Sequence, residues 1–138
     1  MKLENITERI INSFYDVYNE LGPGFLESVY ENSLLIALRE RGLVAESQKG
    51  IHVFFRGQIV GDFRADVIVE NKVLIELKAC KTLNDSHIAQ TLNYLKATAI
   101  EVALLVNFGQ KLNLNASFVL NKSVEICENQ WLKIKINA

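Results

Sequence analysis

Within the stretch GDFRADVIVENKVLIELKA, residues 61–79, two acids and a lysine are spaced so that a hairpin brings them together. With Glu70, Asn71 and Lys72 as a three-residue turn, Val69 pairs with Val73, Val67 with Ile75, and Asp66 falls opposite Glu76. Side chains alternate along a strand. One face then carries Phe63, Ala65, Val67, Val69, Val73, Ile75, Leu77 and Ala79, all of them apolar. The other carries Asp62, Arg64, Asp66 and Ile68 across from Leu74, Glu76, Lys78 and Cys80, apolar near the turn and charged further in. Like charges facing each other across a strand pair are unfavourable by a few tenths to about 1 kcal/mol when exposed, and by more when buried. Two compensations are open. Arg64 and Lys78 could neutralise the acids in a surface salt-bridge lattice, the usual condition of a solvated charged face. Alternatively, a divalent cation bridges the carboxylates, and Lys78, about 7 Å along the strand from Glu76, points at whatever the cation holds.

The segment after the hairpin bears on that choice. NDSHIAQTLNYLKATA, residues 84–99, has helical periodicity, with caps available between Thr82 and Asp85. A step of about 100° per residue sets Ile88, Leu92, Leu95 and Ala99 on one stripe and His87, Gln90 and Tyr94 on another. Gln90 and Tyr94, one turn apart, bring two hydrogen-bonding tips to the same place.

These residues need elements to hold them. Residues 5–21, NITERIINSFYDVYNEL, read as a first helix, with Ile6, Ile10, Phe14, Val17, Tyr18 and Leu21 facing inward and Asn5 with Glu8 placed as a capping box. Gly22 fits its C-terminal cap and Pro23 stops it. A second helix is expected over about 25–41, ending at Gly42. From Gly50 the period changes to alternating, and the run to Ala79 reads as three antiparallel strands with RGQ and ENK turns. EVALLVNF, residues 101–108, has the near-continuous apolar run of a buried strand. ASFVLNKSVEICENQWLKIKINA, residues 116–138, reads as one or two further strands around NK or EN turns. The order predicts an α/β sandwich with a mixed sheet.

A chain of 138 residues, 49% hydrophobic and 22% charged, fits one compact domain over 1–138. No apolar run approaches the roughly 20 residues of a membrane helix, and MKLENITERI lacks a signal peptide's apolar centre. The expected setting is therefore cytoplasmic, away from membranes. Cys80 and Cys127 have no CxxC partner and read as buried thiols, not as a disulfide framework or zinc ribbon. The net charge of −1 is not that of a tight nonspecific DNA binder. Residues 1–47 carry four Lys or Arg against eight acids, and residues 48–111 carry eight against six, so a polyanion would meet the middle of the chain. P-loop, Rossmann, HExxH and GxSxG patterns are absent, and two histidines are too few for a typical zinc enzyme.

Asp66, ELK at Glu76 to Lys78 and QTLNY at Gln90 to Tyr94, in that order, resemble the PD-(D/E)XK nuclease-like superfamily in its branch with a QxxxY helix. GFLESVY, residues 24–30, resembles the signature of the GxxExxY family of small bacterial proteins assigned to that superfamily. The resemblance covers about residues 5–107 and leaves a β extension of about 112–138 outside it. It implies a restriction-endonuclease-like core, a mixed central β-sheet flanked by helices, with a β-rich C-terminal tail. It also implies metal-dependent phosphodiester hydrolysis of nucleic acid, DNA ahead of RNA, with Asp66, Glu76, Lys78, Gln90 and Tyr94 as catalytic residues. Asp66 and Glu76, helped by Glu27 and the Leu77 carbonyl, would hold one or two Mg²⁺ or Mn²⁺ ions. Lys78 would orient the attacking water or meet the scissile phosphate, and Gln90 and Tyr94 would position the strand or that water. Arg64, Lys81 and His87 would lie toward the nucleic acid, although a satisfied, partly buried histidine is an equal reading of His87.

Gly24, Glu27 and Tyr30 are the signature positions. By itself Glu27 is a first-turn acid favoured by the helix dipole. In the family reading the GPG break aims the second helix so that Glu27 reaches the metal end of the hairpin, with Tyr30 packing or hydrogen-bonding beside it. Glu31 shares that side of the helix and competes for the ligand role. A rival expectation is a nuclease-like interaction or regulatory module without catalysis, working with a protein partner, which suits the acidic first third and low net charge. A third is hydrolysis of another phosphate ester. The tail, with Trp131 and WLKIKI, could pair with a second copy to form a homodimer or add a strand to its own domain.

Overall fold

The computed structural model of the chain describes residues 3–109 in full and, as strand backbone, Ser117–Asn121 and Val124–Glu128. Helix α1 (Leu3–Leu21) buries Ile6, Ile10, Phe14, Val17 and Tyr18, the stripe expected from its period. The helix is already wound at Leu3, so Asn5 lies inside its first turn and is not the cap that the Asn5/Glu8 pair suggested. Gly22 ends it, its N–H bonded to the Tyr18 carbonyl at 2.8 Å. Helix α2 (Glu27–Glu40) begins two residues later than expected, behind a Leu26 that makes no side-chain cap bond. It closes with Gly42 N–H on the Arg39 carbonyl and Leu43 N–H on that of Leu38.

Strands β1 (Ala45–Phe55), β2 (Gln58–Val69) and β3 (Val73–Lys78) form the expected antiparallel meander, with β1 starting five residues earlier than its alternation suggested. Helix α3 (Asp85–Lys96) carries the chain back to β4 (Val102–Asn107), which lies parallel to β3. β5 (Ser117–Asn121) and β6 (Val124–Glu128) continue antiparallel, on either side of the NK turn candidate. The sheet runs β1-β2-β3-β4-β5-β6 among the described residues. The EN alternative and the Trp131 segment WLKIKI, on which the expected pairing with a second copy rests, lie outside them.

Helices cover both faces. On one, Ile6, Phe14, Leu34 and Leu38 of α1 and α2 pack on Val67, Val73, Ile75, Leu104 and Phe108. On the other, Ile88 and Leu95 of α3 pack on Ile68, Leu74, Ala103 and Leu105. β3 and β4 are therefore apolar on both sides, which is why their sequences run VLI and VALLV without alternation. Helix α3 stops at Lys96, so Ala99 falls beyond it, and Thr91 replaces the half-buried Leu92 on its fully buried stripe.

One expectation fails at the middle of β2. Ala65 and Phe63 do not share a core with Val67 and Val69; they pack in the α3 cluster with Ile68 and Leu74. The cause is that the β2–β3 ladder stops at Val67↔Ile75, so among the described residues no strand on that side holds the outer part of β2 to the regular pleat. Opposite Asp66, Gln48 of β1 has φ +53, a kink that lets the strand pair turn toward α3.

Candidate active site

The register near the turn is the one the sequence predicts, Val69↔Val73, Ile68↔Leu74 and Val67↔Ile75. Glu70 and Asn71, at φ +53 and +54, make the turn, and Lys72 N–H returns to the Val69 carbonyl at 2.9 Å. Beyond it the acids interlock. Asp66 Oδ2 accepts the Leu77 N–H at 2.8 Å, and Glu76 Oε1 accepts the Asp66 N–H at 3.4 Å. Each carboxylate thus bonds the opposite strand in place of a backbone carbonyl, and β2 forks away from β3 at this point.

Glu76 is 5% exposed. Burial, and then the Asp66 charge beside it, push its carboxyl from an ordinary 4.5 up to about 8; the Asp66 N–H and the Lys78 charge oppose this without cancelling it. Lys78 is half-buried, set beside Asn107 of β4. Arg64 turns away and donates to the Gln48 carbonyl at 2.9 Å. Among the described residues the ion pairs are Arg41–Asp16 and Lys49–Glu46, neither of them at the fork. The salt-bridge lattice open to Arg64 and Lys78 does not form.

Helix α2 supplies further acids. Glu27 Oε2 accepts the Ala79 N–H at 3.2 Å, one residue past Lys78, so the helix does reach the end of β3. Glu31 Oε1 accepts from Gln48 Nε2 at 3.0 Å, and the same amide stands 3.5 Å from Asp66 Oδ1. Burial raises the Glu31 pKa, the Gln48 bond lowers it, and the charges of Asp66 and Glu27 raise it again. Of the two helical acids, Glu31 is the one bridged to Asp66. Tyr30 bonds and packs against the preceding loop and Phe108. Its ring is fully buried, stacked on Phe108 at 4.4 Å, and its hydroxyl donates to the Gly22 carbonyl at 2.5 Å and accepts the Phe25 N–H at 3.2 Å. The tyrosine therefore clamps the GPG loop from below, while Gly24, at φ +111, gives the loop a conformation other residues resist.

Helix α3 approaches from the other side. Asn84 caps it, bonding the N–H groups of Ser86 and His87, and His87 Nδ1 accepts the Asn84 N–H at 3.3 Å. His87 is thus half of a capping box. Gln90 Nε2 donates to Tyr94 Oη at 2.8 Å, the meeting of tips expected from their spacing. Burial first, then the charges of Glu76 and Asp66, raise the Tyr94 pKa, so its hydroxyl feels both acids. Lys81 is exposed beyond the end of β3.

Sequence reasoning missed three supports. Gln48 links Glu31 to Asp66 through a kinked backbone for which an exposed glutamine gives no signal. Asn107, fully buried, accepts the N–H groups of Cys80 and Gly109 on Oδ1 at 3.1 and 2.9 Å and donates to the Cys80 carbonyl at 2.9 Å, fixing the chain just after Lys78. Gly109 lies so close to that chain that a Cβ would sit 2.3 Å from the Cys80 carbonyl oxygen. Cys80 itself is half-buried, not sealed in the core, with Sγ 3.4 Å from the Thr82 carbonyl.

Among the described residues no three His, Cys, Asp or Glu side chains group closely enough to hold a metal alone. The fork nevertheless suits a hard dication. Its donors are the carboxylate oxygens of Asp66 and Glu76, of the kind Mg²⁺ and Mn²⁺ prefer. A buried carboxyl whose pKa is raised by burial and then by its acidic neighbour is also a site short of positive charge. No helix among the described residues is long and apolar enough to cross a membrane. Compared with known families, residues 4–118 match the model of the PD-(D/E)XK nuclease superfamily. No curated protein and no solved structure matches the chain.

Proposed function

The chain belongs to the PD-(D/E)XK nuclease superfamily, and from that membership we propose that it hydrolyses phosphodiester bonds of nucleic acid, DNA ahead of RNA, using Mg²⁺ or Mn²⁺. The observation that carries this reading is the fork: two interlocked carboxylates, one of them buried with its pKa raised by burial and by its neighbour, next to a lysine that forms no ion pair with an acid among the described residues. Asp66, Glu76 and the Leu77 carbonyl would hold the ion, with Glu31 or Glu27 reaching it through water. Bound there, the ion supplies an activated water and charge to offset the transition state. Lys78 neutralises the scissile phosphate as a point charge. Gln90 and Tyr94, already bonded to each other, orient the strand or the attacking water.

Within the superfamily the proposed family is GxxExxY. Each signature residue has a task that supports it: Gly24 turns the loop, Tyr30 clamps it, and Glu27 grips the end of β3.

The test is cleavage of end-labelled linear DNA, circular DNA and RNA with Mg²⁺ or Mn²⁺, comparing the wild type with Glu76→Ala and Lys78→Ala. Metal-dependent cutting that falls by about 100-fold or more in both variants is expected. Equal background in all three proteins would defeat the proposal and leave an interaction or regulatory module.

A further inference from the structure

Beyond Lys49↔Ala65 the first two strands continue alone. β3 pairs with β2 only from Val67 to Val69, whereas the β1–β2 pairing runs on to Phe55↔Gln58, with no third strand beside it among the described residues. The product is a two-stranded arm tipped by the Arg56–Gly57 turn. Its outer half exposes Phe54, Phe55, Ile59 and Val60, each by about 60%. Four large apolar side chains left in water on one protrusion mark a binding surface.

What binds there is limited by what surrounds it. Between the arm and α3 lies an open cavity of about 660 Å³, walled by Phe54, Val60 and Phe63 on one side and by Asn93, Tyr94 and Lys96 on the other. Tyr94 stacks on Phe63 with ring centres 3.7 Å apart and planes 7° from parallel, and it is the same tyrosine that feels Asp66 and Glu76. The cavity and the fork therefore share a wall. The arm carries Lys49, Arg56 and Arg64 against a single acid, Asp62, in a chain whose net charge is −1. Flat aromatic faces, a primary amide able to read a base edge, an ammonium for a phosphate and a basic approach form the chemistry of an unstacked nucleotide.

We propose that this cavity takes an unpaired nucleobase, so that the substrate strand is single-stranded or locally melted. The inference rests on the nuclease reading and narrows its substrate. A base within a duplex keeps its neighbours on both faces and cannot enter, so the arm selects strands whose bases are free to leave the stack. Phe54 is the stacking platform. Phe55 is equally exposed but outside the cavity wall, with the Arg56 guanidinium 4.9 Å over its ring.

Binding in EDTA, where no cutting occurs, separates this inference from catalysis. Anisotropy of labelled oligo-dT, oligo-U and a blunt duplex of equal length would be measured with the wild type, Phe54→Ala and Phe55→Ala. Tighter binding of a single strand than of the duplex is expected, weakened about ten-fold by Phe54→Ala and unchanged by Phe55→Ala. Equal affinity for single strand and duplex, equal losses in both variants, or no binding at all overturns it. A concentration-dependent dimer in sedimentation that Phe54→Ala dissolves, without single-strand preference, also overturns it and assigns the arm to a second copy. A protein that binds single strands through Phe54 yet never cuts would lose the nuclease reading alone, and one that cuts duplex without single-strand preference would lose this inference alone.

Discussion

Glu76 is the residue at which charge and fold conflict. Its folded pKa, about 8, lies above the 4.5 of an ordinary glutamate, so the metal-free fold binds this proton more tightly than the unfolded chain does. The resulting stability is complete below about pH 4.5 and is lost as pH climbs to about 8, a loss on the order of a few kcal/mol. Urea unfolding in EDTA should thus show lower stability at pH 8.5 than at pH 5.5, and Glu76→Gln should flatten most of that difference. A wild type as sloped as the variant would show that the burial is not felt. Tyr30 makes a second prediction. Tyr30→Phe removes the hydroxyl from the Gly22 carbonyl and the Phe25 N–H and should lower stability by about 1–3 kcal/mol in the same assay. At this scale the sequence was partly legible. Asp66 opposite Glu76 follows from period two and a turn, because those fix register locally. The task of Tyr30 does not, since its partner is a backbone carbonyl eight residues earlier, brought under it only by the folded loop.

The end of β3 is kept in place by its neighbour β4 and the turn that follows. Asn107 holds three backbone groups there, and Gly109 leaves room for the Cys80 carbonyl. Gly109→Ala forces backbone against backbone and should destabilise by about 2–4 kcal/mol, measured by thermal melting. Because the displaced segment begins one residue after Lys78, cleavage should fall further than the lost folded fraction explains; full activity in the surviving folded protein would contradict this role. Element order, both hairpin turns, the buried run of β4 and the cap of α3 were readable because they depend on neighbours in sequence. The inversion that sends Phe63 and Ala65 to α3 was not, since it arises where a ladder ends and side chains take over from backbone. The false cap at Asn5 came from a valid local pattern placed two residues inside a helix that had already begun.

Over the whole molecule, the nucleic acid of the proposed reading would meet the basic arm of a chain whose net charge is −1 and whose first third is acidic. Binding should accordingly show a shallow salt dependence, log K falling against log salt with a slope of magnitude below about 4, read from anisotropy titrations between low and moderate salt. A steeper slope would mean that many more phosphates are engaged than the arm and Lys78 provide. The fork has a different consequence for the history of such chains. Asp66 substitutes for a backbone carbonyl at the Leu77 N–H, so the sheet depends on it whether or not any phosphate is ever cut. Glu76 returns only the longer bond, 3.4 Å to the Asp66 N–H, and is buried at odds with its surroundings, so its architectural duty is the weaker of the two. In a lineage that gives up hydrolysis, selection for folding would preserve the aspartate while the glutamate drifts toward glutamine or an apolar residue. Position 76, not position 66, would then separate working descendants from relics.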